Sequence, residues 1–228
     1  MARASFLSVP FLFFCSLVLA SPTYGPTMPT PKQAFWGLQH YSVLGRTLDN
    51  DLGKIESRQN FLTLSYGIRE WLSLDLKWSL HSRFRNQEGP SGEVEFEDPV
   101  WGGGYGARVR VFEDGPWKGI VGFHHTSIHP RTLKANGVKR NGIWEDWQVS
   151  GSLSYEWGHF VPYAGLLWST ADEIIRIDKE RNRIKSDPDR NWGVLTGLNI
   201  LLTPRTFLNL EVDWRDDAAV ACGLHVRF

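Results

Sequence analysis

The chain closes on Val220-Ala221-Cys222-Gly223-Leu224-His225-Val226-Arg227-Phe228. Side chains alternate across a strand with period two, so Val220, Cys222, Leu224, Val226 and Phe228 share one face. Ala221, Gly223, His225 and Arg227 share the other. One face suits hydrocarbon and the other a polar interior, and a lone strand cannot satisfy both. The rest of the chain must supply its neighbours.

Period-two runs predict ten strands, at about 35 to 45, 58 to 67, 71 to 81, 99 to 112, 117 to 126, 144 to 157, 160 to 170, 190 to 202, 206 to 215 and 218 to 228. Their connections alternate, with tight turns near 68 to 70, 113 to 116, 158 to 159 and 203 to 205 and longer loops between. The third run carries Leu72, Leu74, Leu76, Trp78 and Leu80 against Ser73, Asp75, Lys77, Ser79 and His81. The eighth and ninth repeat the contrast: Trp192, Val194, Leu198, Ile200, Leu202, Leu208, Leu210, Val212 and Trp214 oppose Gly193, Gly197, Asn199, Asn209, Glu211 and Asp213. Alternation does not assign the faces of the first and seventh strands, where apolar residues such as Leu166, Leu167 and Trp168 run consecutively.

A terminal strand ending in an aromatic residue resembles the assembly signal of Gram-negative outer-membrane β-barrels. The turns Ser65-Tyr66-Gly67-Ile68-Arg69-Glu70-Trp71-Leu72 and Leu202-Thr203-Pro204-Arg205-Thr206-Phe207-Leu208 are similar to those of small members of that class. The resemblance implies an all-β fold, a transmembrane antiparallel up-and-down barrel of about ten strands over residues 35 to 228, with short periplasmic turns and longer external loops. It also implies that Leu224, Val226 and Phe228 address the barrel-assembly machinery, and that outer-membrane lipid and lipopolysaccharide are the surroundings. Of the eleven tryptophans, Trp36, Trp71, Trp117 and Trp157 fall toward the short-turn side. Trp78, Trp101, Trp144, Trp168, Trp192 and Trp214 fall toward the long-loop side, as two interfacial girdles require.

The opposite end of the chain agrees. Arg3 precedes an apolar stretch from Phe6 to Leu19 that is too short and interrupted for a spanning helix, and Ala20 suits cleavage before Ser21. Residues 1 to 20 therefore read as a signal peptide, and residues 21 to 34, rich in proline, as a flexible periplasmic leader. The expected location is the bacterial outer membrane. Cleavage would leave Cys222 as the sole cysteine, so neither an intramolecular disulfide nor a cysteine metal cluster is expected. Lysine plus arginine (25) balance aspartate plus glutamate (25), which gives no nucleic-acid footprint. Mean hydropathy is only -0.29, but barrels hide their apolar residues in alternate positions.

Inner-face charges are expected to form a lumen network: Asp75 and Lys77 facing Arg108 and Arg110, and Glu211 and Asp213 beside His225 and Arg227. A ten-stranded barrel has little bore once side chains fill it, so such pairs favour a plug over a pore. Gly102, Gly103, Gly104 and Gly106 are expected to relieve crowding or bend the wall.

The sharpest chemical motif is Phe123-His124-His125-Thr126-Ser127-Ile128-His129. His125 and Ser127 share the lipid face, and the His-x-Ser spacing is similar to that of outer-membrane phospholipase A and lipid A 3-O-deacylase. That resemblance implies that His125 activates Ser127, with Glu145 or Asn141 orienting the histidine. The phospholipase pattern continues with Asn and Gly, where this chain has Ile128 and His129. A structural, adhesive or narrow-passage barrel is the favoured reading, with no cofactor or metal. A lipid esterase and a porin-like solute channel are the alternatives.

Overall fold

The computed structural model describes residues 24–49, 53–87, 94–97, 99–131, 133–135, 138–170, 172–177, 184–215 and 218–228. The expected signal peptide lies outside the described residues. The strands are β1 (Ala34–Thr47), β2 (Lys54–Arg69), β3 (Leu72–Gln87), β4 (Val94–Glu97), β5 (Pro99–Asp114), β6 (Trp117–Pro130), β7 (Leu133–Ala135), β8 (Val138–Tyr155), β9 (Phe160–Ser169), β10 (Asp172–Ile177), β11 (Ile184–Ser186), β12 (Trp192–Thr203), β13 (Thr206–Trp214) and β14 (Ala218–Arg227).

Ten of them are staves, in the ring order β1-β2-β3-β5-β6-β8-β9-β12-β13-β14, with β14 returning to β1. Every step in the ring is antiparallel. The seam is closed to the end of the chain: Phe228 N–H donates to Ala34 O at 2.9 Å and Ala34 N–H to Phe228 O at 3.2 Å. The short strands β4, β7, β10 and β11 lengthen the wall at the long-loop end.

All ten expected strands are staves, but several are longer than hydropathy predicts. β2 begins at Lys54, β3 runs to Gln87 and β8 begins at Val138. Beyond the apolar band the outward residues are polar, so the alternation fades while the backbone ladder continues. Both faces that alternation left open are resolved. Phe35, Gly37, Gln39 and Tyr41 point into β1's lumen side, and Val161, Tyr163, Leu167 and Ser169 into that of β9.

Two residues face opposite to expectation. A register shift between Asn60 and Phe61 leaves Leu80 as an extra residue on β3, so His81 turns outward and Ser82, Phe84 and Asn86 turn in. Trp144 also faces the lumen, where it lies against Phe84 with ring centroids 5.7 Å apart. It belongs to an apolar cluster with Val43, Leu48, Ile55, Phe96 and Ile128 that caps the interior at the long-loop end, not to a girdle. The other outward tryptophans keep their belts: Trp36, Trp71, Trp117 and Trp157 are exposed at one end, and Trp78, Trp101, Trp192 and Trp214 toward the other.

Candidate functional site in the lumen and at the outer rim

Of the expected flexible leader, residues 24–29 are packed inside the barrel, with Tyr24 and Met28 buried, and residues 21–23 lie outside the described residues. The segment enters at the short-turn end, where Lys32 N–H donates to Gly67 O at 2.9 Å and Gly67 N–H to Gln33 O at 3.0 Å. It bends at Pro26, next to Tyr24 and Gly25, which are both in the left-handed region at φ 66° and 67°. Only glycine fits the second position, since a Cβ there would lie 2.6 Å from Asn209 Nδ2 and 2.8 Å from Asn199 Oδ1.

Arg108 explains why the segment stays. Its guanidinium makes a bidentate pair with Asp75, Nε to Oδ2 at 2.9 Å and Nη2 to Oδ1 at 2.8 Å. Nη2 also reaches Ser65 Oγ at 3.2 Å, while Nη1 donates to the carbonyls of Gly25 and Thr27, each at 2.9 Å. The five donors of the fork are thus all used, three on the wall and two on the plug. The Tyr24 ring stacks on His124 at 5.0 Å, and Lys77 Nζ lies 4.5 Å from its centroid. Gly106 makes room for this stack, because a Cβ on it would lie 2.2 Å from His124 Cδ2.

The far wall holds the plug through amides. Asn199 Nδ2 donates to Thr27 Oγ1 at 2.6 Å, and Asn209 Nδ2 donates to Asn199 Oδ1 at 2.7 Å and to Tyr163 Oη at 2.8 Å. Tyr163 O–H in turn donates to Glu211 Oε2 at 2.7 Å. Above this layer, the space bounded by Tyr41, Gln59, Phe61, Lys77 and Asp146 is too narrow to admit a water molecule. No side-chain sequence signal marks the plug; the leader's low apolar content reads as solvated because it is held largely through its own backbone carbonyls and the Thr27 hydroxyl, by Arg108 and Asn199.

The expected lumen charges are only partly brought together. Asp75 and Arg108 meet, with His124 Nε2 3.7 Å from Asp75 Oδ2. Arg110 does not join them: the β3–β5 register sets Asp75 opposite Gly106 and brings Arg110 N–H to Trp71 O, so Arg110 lies at the short-turn end, where it donates to Glu113 at 2.5 Å, beside Lys118 and Glu156. Glu211 and Asp213 are opposite Ala221 and Ala219, four and six residues from His225 and six and eight from Arg227, so the register keeps those pairs apart. His225 stacks on Phe207 at 4.8 Å, and the Arg227 guanidinium lies 5.3 Å from the Phe35 centroid. Asp213 is instead 4.0 Å from Arg215.

At the rim, His125 and Ser127 share the outer face with Val121 and Phe123. His125 Nε2 is 3.8 Å from Glu145 Oε1 and its ring stacks on Trp147 at 3.9 Å. Ser127 Oγ, however, is hydrogen-bonded to His129 Nε2 at 3.1 Å. Asn141 lies farther along β8, opposite Arg176. Histidine and carboxylate therefore meet, but the serine is partnered elsewhere. The same His-x-Ser spacing also occurs at His40-Tyr41-Ser42, which the sequence reading did not single out.

A ring closed by hydrogen bonds, polar within and apolar without, with aromatic residues exposed at two levels, has one solvent that fits its outer wall. The fold is that of an integral outer-membrane β-barrel. Similar solved structures include an outer membrane channel from Pseudomonas putida F1 (TM-score 0.49, 12% identity, covering 92% of this chain and 100% of that one). They also include the attachment invasion locus protein Ail of Yersinia pestis, solved with the heparin analogue sucrose octasulfate (TM-score 0.45, 11% identity, 86% and 99%). The translocator domain of the autotransporter NalP from Neisseria meningitidis is a third (TM-score 0.48, 8% identity, 88% of each chain). No family model matches the chain, and no curated protein matches it in sequence.

Proposed function

We propose that this protein is a sealed outer-membrane barrel, closed at rest by its own N-terminal segment and acting through its outer wall and external loops. The observation that carries the reading is the Arg108 fork, which ties Asp75 on the wall to Gly25 and Thr27 in the plug. The same reading has residues 1 to 20 removed as a signal peptide. Leu224, Val226 and Phe228, all on the outward face of the closing seam, would present the final strand to the assembly machinery. Of the external segments, Arg131 to Arg140 is basic and suits lipopolysaccharide phosphates.

Conductance in a planar bilayer tests it. Refolded wild type should show no steady open-state current, and deletion of residues 24–33 should open one. A steady current through wild type would overturn the sealed state. His125 and Ser127 do not favour ester cleavage as a pair, because the Ser127 hydroxyl is bonded to His129 and not to His125, the histidine that Glu145 faces.

A further inference from the structure

The outer wall carries a second polar cluster, on β1 and β2. His40 Nδ1 lies 2.8 Å from Asn60 Oδ1, and His40 Nε2 lies 2.9 Å from Ser42 Oγ. An amide oxygen can only accept, so Nδ1 carries the proton and Nε2 presents its lone pair to the serine hydroxyl. With the Asn60 oxygen turned to the ring, that is the tautomer a general base needs. Three polar side chains facing outward from a lipid-bathed wall are costly there unless they serve a purpose.

The surroundings grade from apolar to basic along the wall. Below the histidine, Leu38 is opposite both Leu62 and Leu224, and Leu62 is opposite Trp78 of the long-loop girdle. Ser42 is opposite Arg58, and Arg58 is opposite Arg83. Beyond the serine a cleft of about 250 Å³ is lined by Leu44, Glu56, Arg58, Arg83 and Arg85. Glu56 is 3.9 Å from Arg85 and Glu95 pairs with Arg83, so these two arginines are held in place at the cleft. The serine thus stands where the aromatic belt marks the boundary between acyl chains and headgroups, which is where lipid ester bonds lie. Directly after it, the β1–β2 register shifts between Val43 and Arg46, so the ladder is interrupted beside the hydroxyl.

We propose that Ser42, His40 and Asn60 form an acyl-ester hydrolysis site for a phosphate-bearing membrane lipid. Acyl chains lie along Leu38 and Leu62, and the phosphate sits among Arg58, Arg83 and Arg85. Ser42 Oγ attacks the ester carbonyl carbon as its proton passes to His40 Nε2; the carbon–alkoxy bond breaks and the leaving alkoxide takes that proton. Water then attacks the acyl-serine, giving a proton to Nε2. The acyl–Oγ bond breaks, and Oγ recovers the proton, so ester and water become acid and alcohol. Asn60 is a positioning residue, acting through His40.

The site is independent of whether the lumen is sealed. The test uses the full barrel, refolded and checked by heat-modifiable migration, in phosphatidylglycerol vesicles and separately with purified lipid A. Fatty-acid release from one of the two identifies the lipid source. Ser42→Ala and His40→Ala should each lower release about 10³-fold or more, while Ser127→Ala should retain it. A fluorophosphonate should label Ser42 in wild type and not in His40→Ala. Asn60→Ala should lose activity that Asn60→Asp restores with a displaced pH profile. Absence of release from both lipids by the folded wild type, undiminished release by Ser42→Ala, or labelling at Ser127 in place of Ser42 would overturn the proposal.

Discussion

Arg108 and Asp75 form a bidentate ion pair wholly buried in the barrel interior, with contacts of 2.8 and 2.9 Å, on adjacent staves β5 and β3. Neither partner has water to fall back on, and the arginine's remaining donors are committed to Ser65 and the plug. The pair is therefore the point at which barrel stability and lumen closure are one property.

Removing one member should expose that link. Arg108→Ala leaves Asp75 charged and uncompensated, which costs about 3 to 5 kcal/mol when a buried pair is broken from one side. Urea unfolding in vesicles should show the loss, and the same variant should conduct. The double substitution Asp75→Asn with Arg108→Met should recover much of the stability while still conducting, since no charge is then stranded and the carbonyls of Gly25 and Thr27 still lose their donor.

Gly25→Ala attacks the plug without touching the wall. The positive φ and the clash with Asn199 and Asn209 should displace the turn and make the N-terminal segment cleavable by added protease, with barrel migration unchanged. A segment that stays protected in Gly25→Ala would mean that the backbone conformation at Gly25 does not hold it.

The two faces of β3 give a depth-dependent test. Leu74 is exposed on the outer wall and Ser73 is buried in the lumen. Leu74→Arg should destabilise by about 2 to 4 kcal/mol if it meets mid-bilayer hydrocarbon, and Ser73→Ala by clearly less. Equal costs in equilibrium unfolding would contradict the assigned faces.

Tryptophan accessibility separates the girdle from the interior. In vesicles of brominated lipid, Trp192→Phe should reduce the quenchable fluorescence, because Trp192 is exposed on the outer wall. Trp144→Phe should leave it unchanged, because Trp144 packs inside against Phe84.

Deleting Phe228 removes both backbone hydrogen bonds that close the seam at Ala34. Assembly yield in cells should fall, read as loss of the heat-modifiable form. Unchanged yield would show that the seam and its recognition end tolerate the loss.

The strands were legible because each stave must put every second residue into lipid, and that demand is written locally. Leu72 to Trp78 on β3 and Leu208 to Trp214 on β13 show it without help from any distant residue. The misread positions follow register between strands. One extra residue at Leu80 reverses the face of His81, and the β3–β5 pairing sets Asp75 opposite Gly106, which keeps Arg110 out of its reach. Hydropathy carries no mark of either, because alternation along one strand says nothing of a bulge or of which residue of the neighbour it faces.

Sequence alone determined the class of fold, the ten strands, the parity of most faces and the exposed aromatic belts, all of which come from a period of two read along the chain. Tertiary structure alone decided what fills the lumen and which polar groups meet. Those contacts depend on register and stagger between strands and on a segment that enters from outside the ring, as Thr27 meets Asn199 and Arg108 meets Gly25. The Asn60–His40–Ser42 chain shows the same division: its His-x-Ser half is local, but a hydrogen bond from the neighbouring strand, set by pairing His40 with Asn60, turns the spacing into an ordered triad.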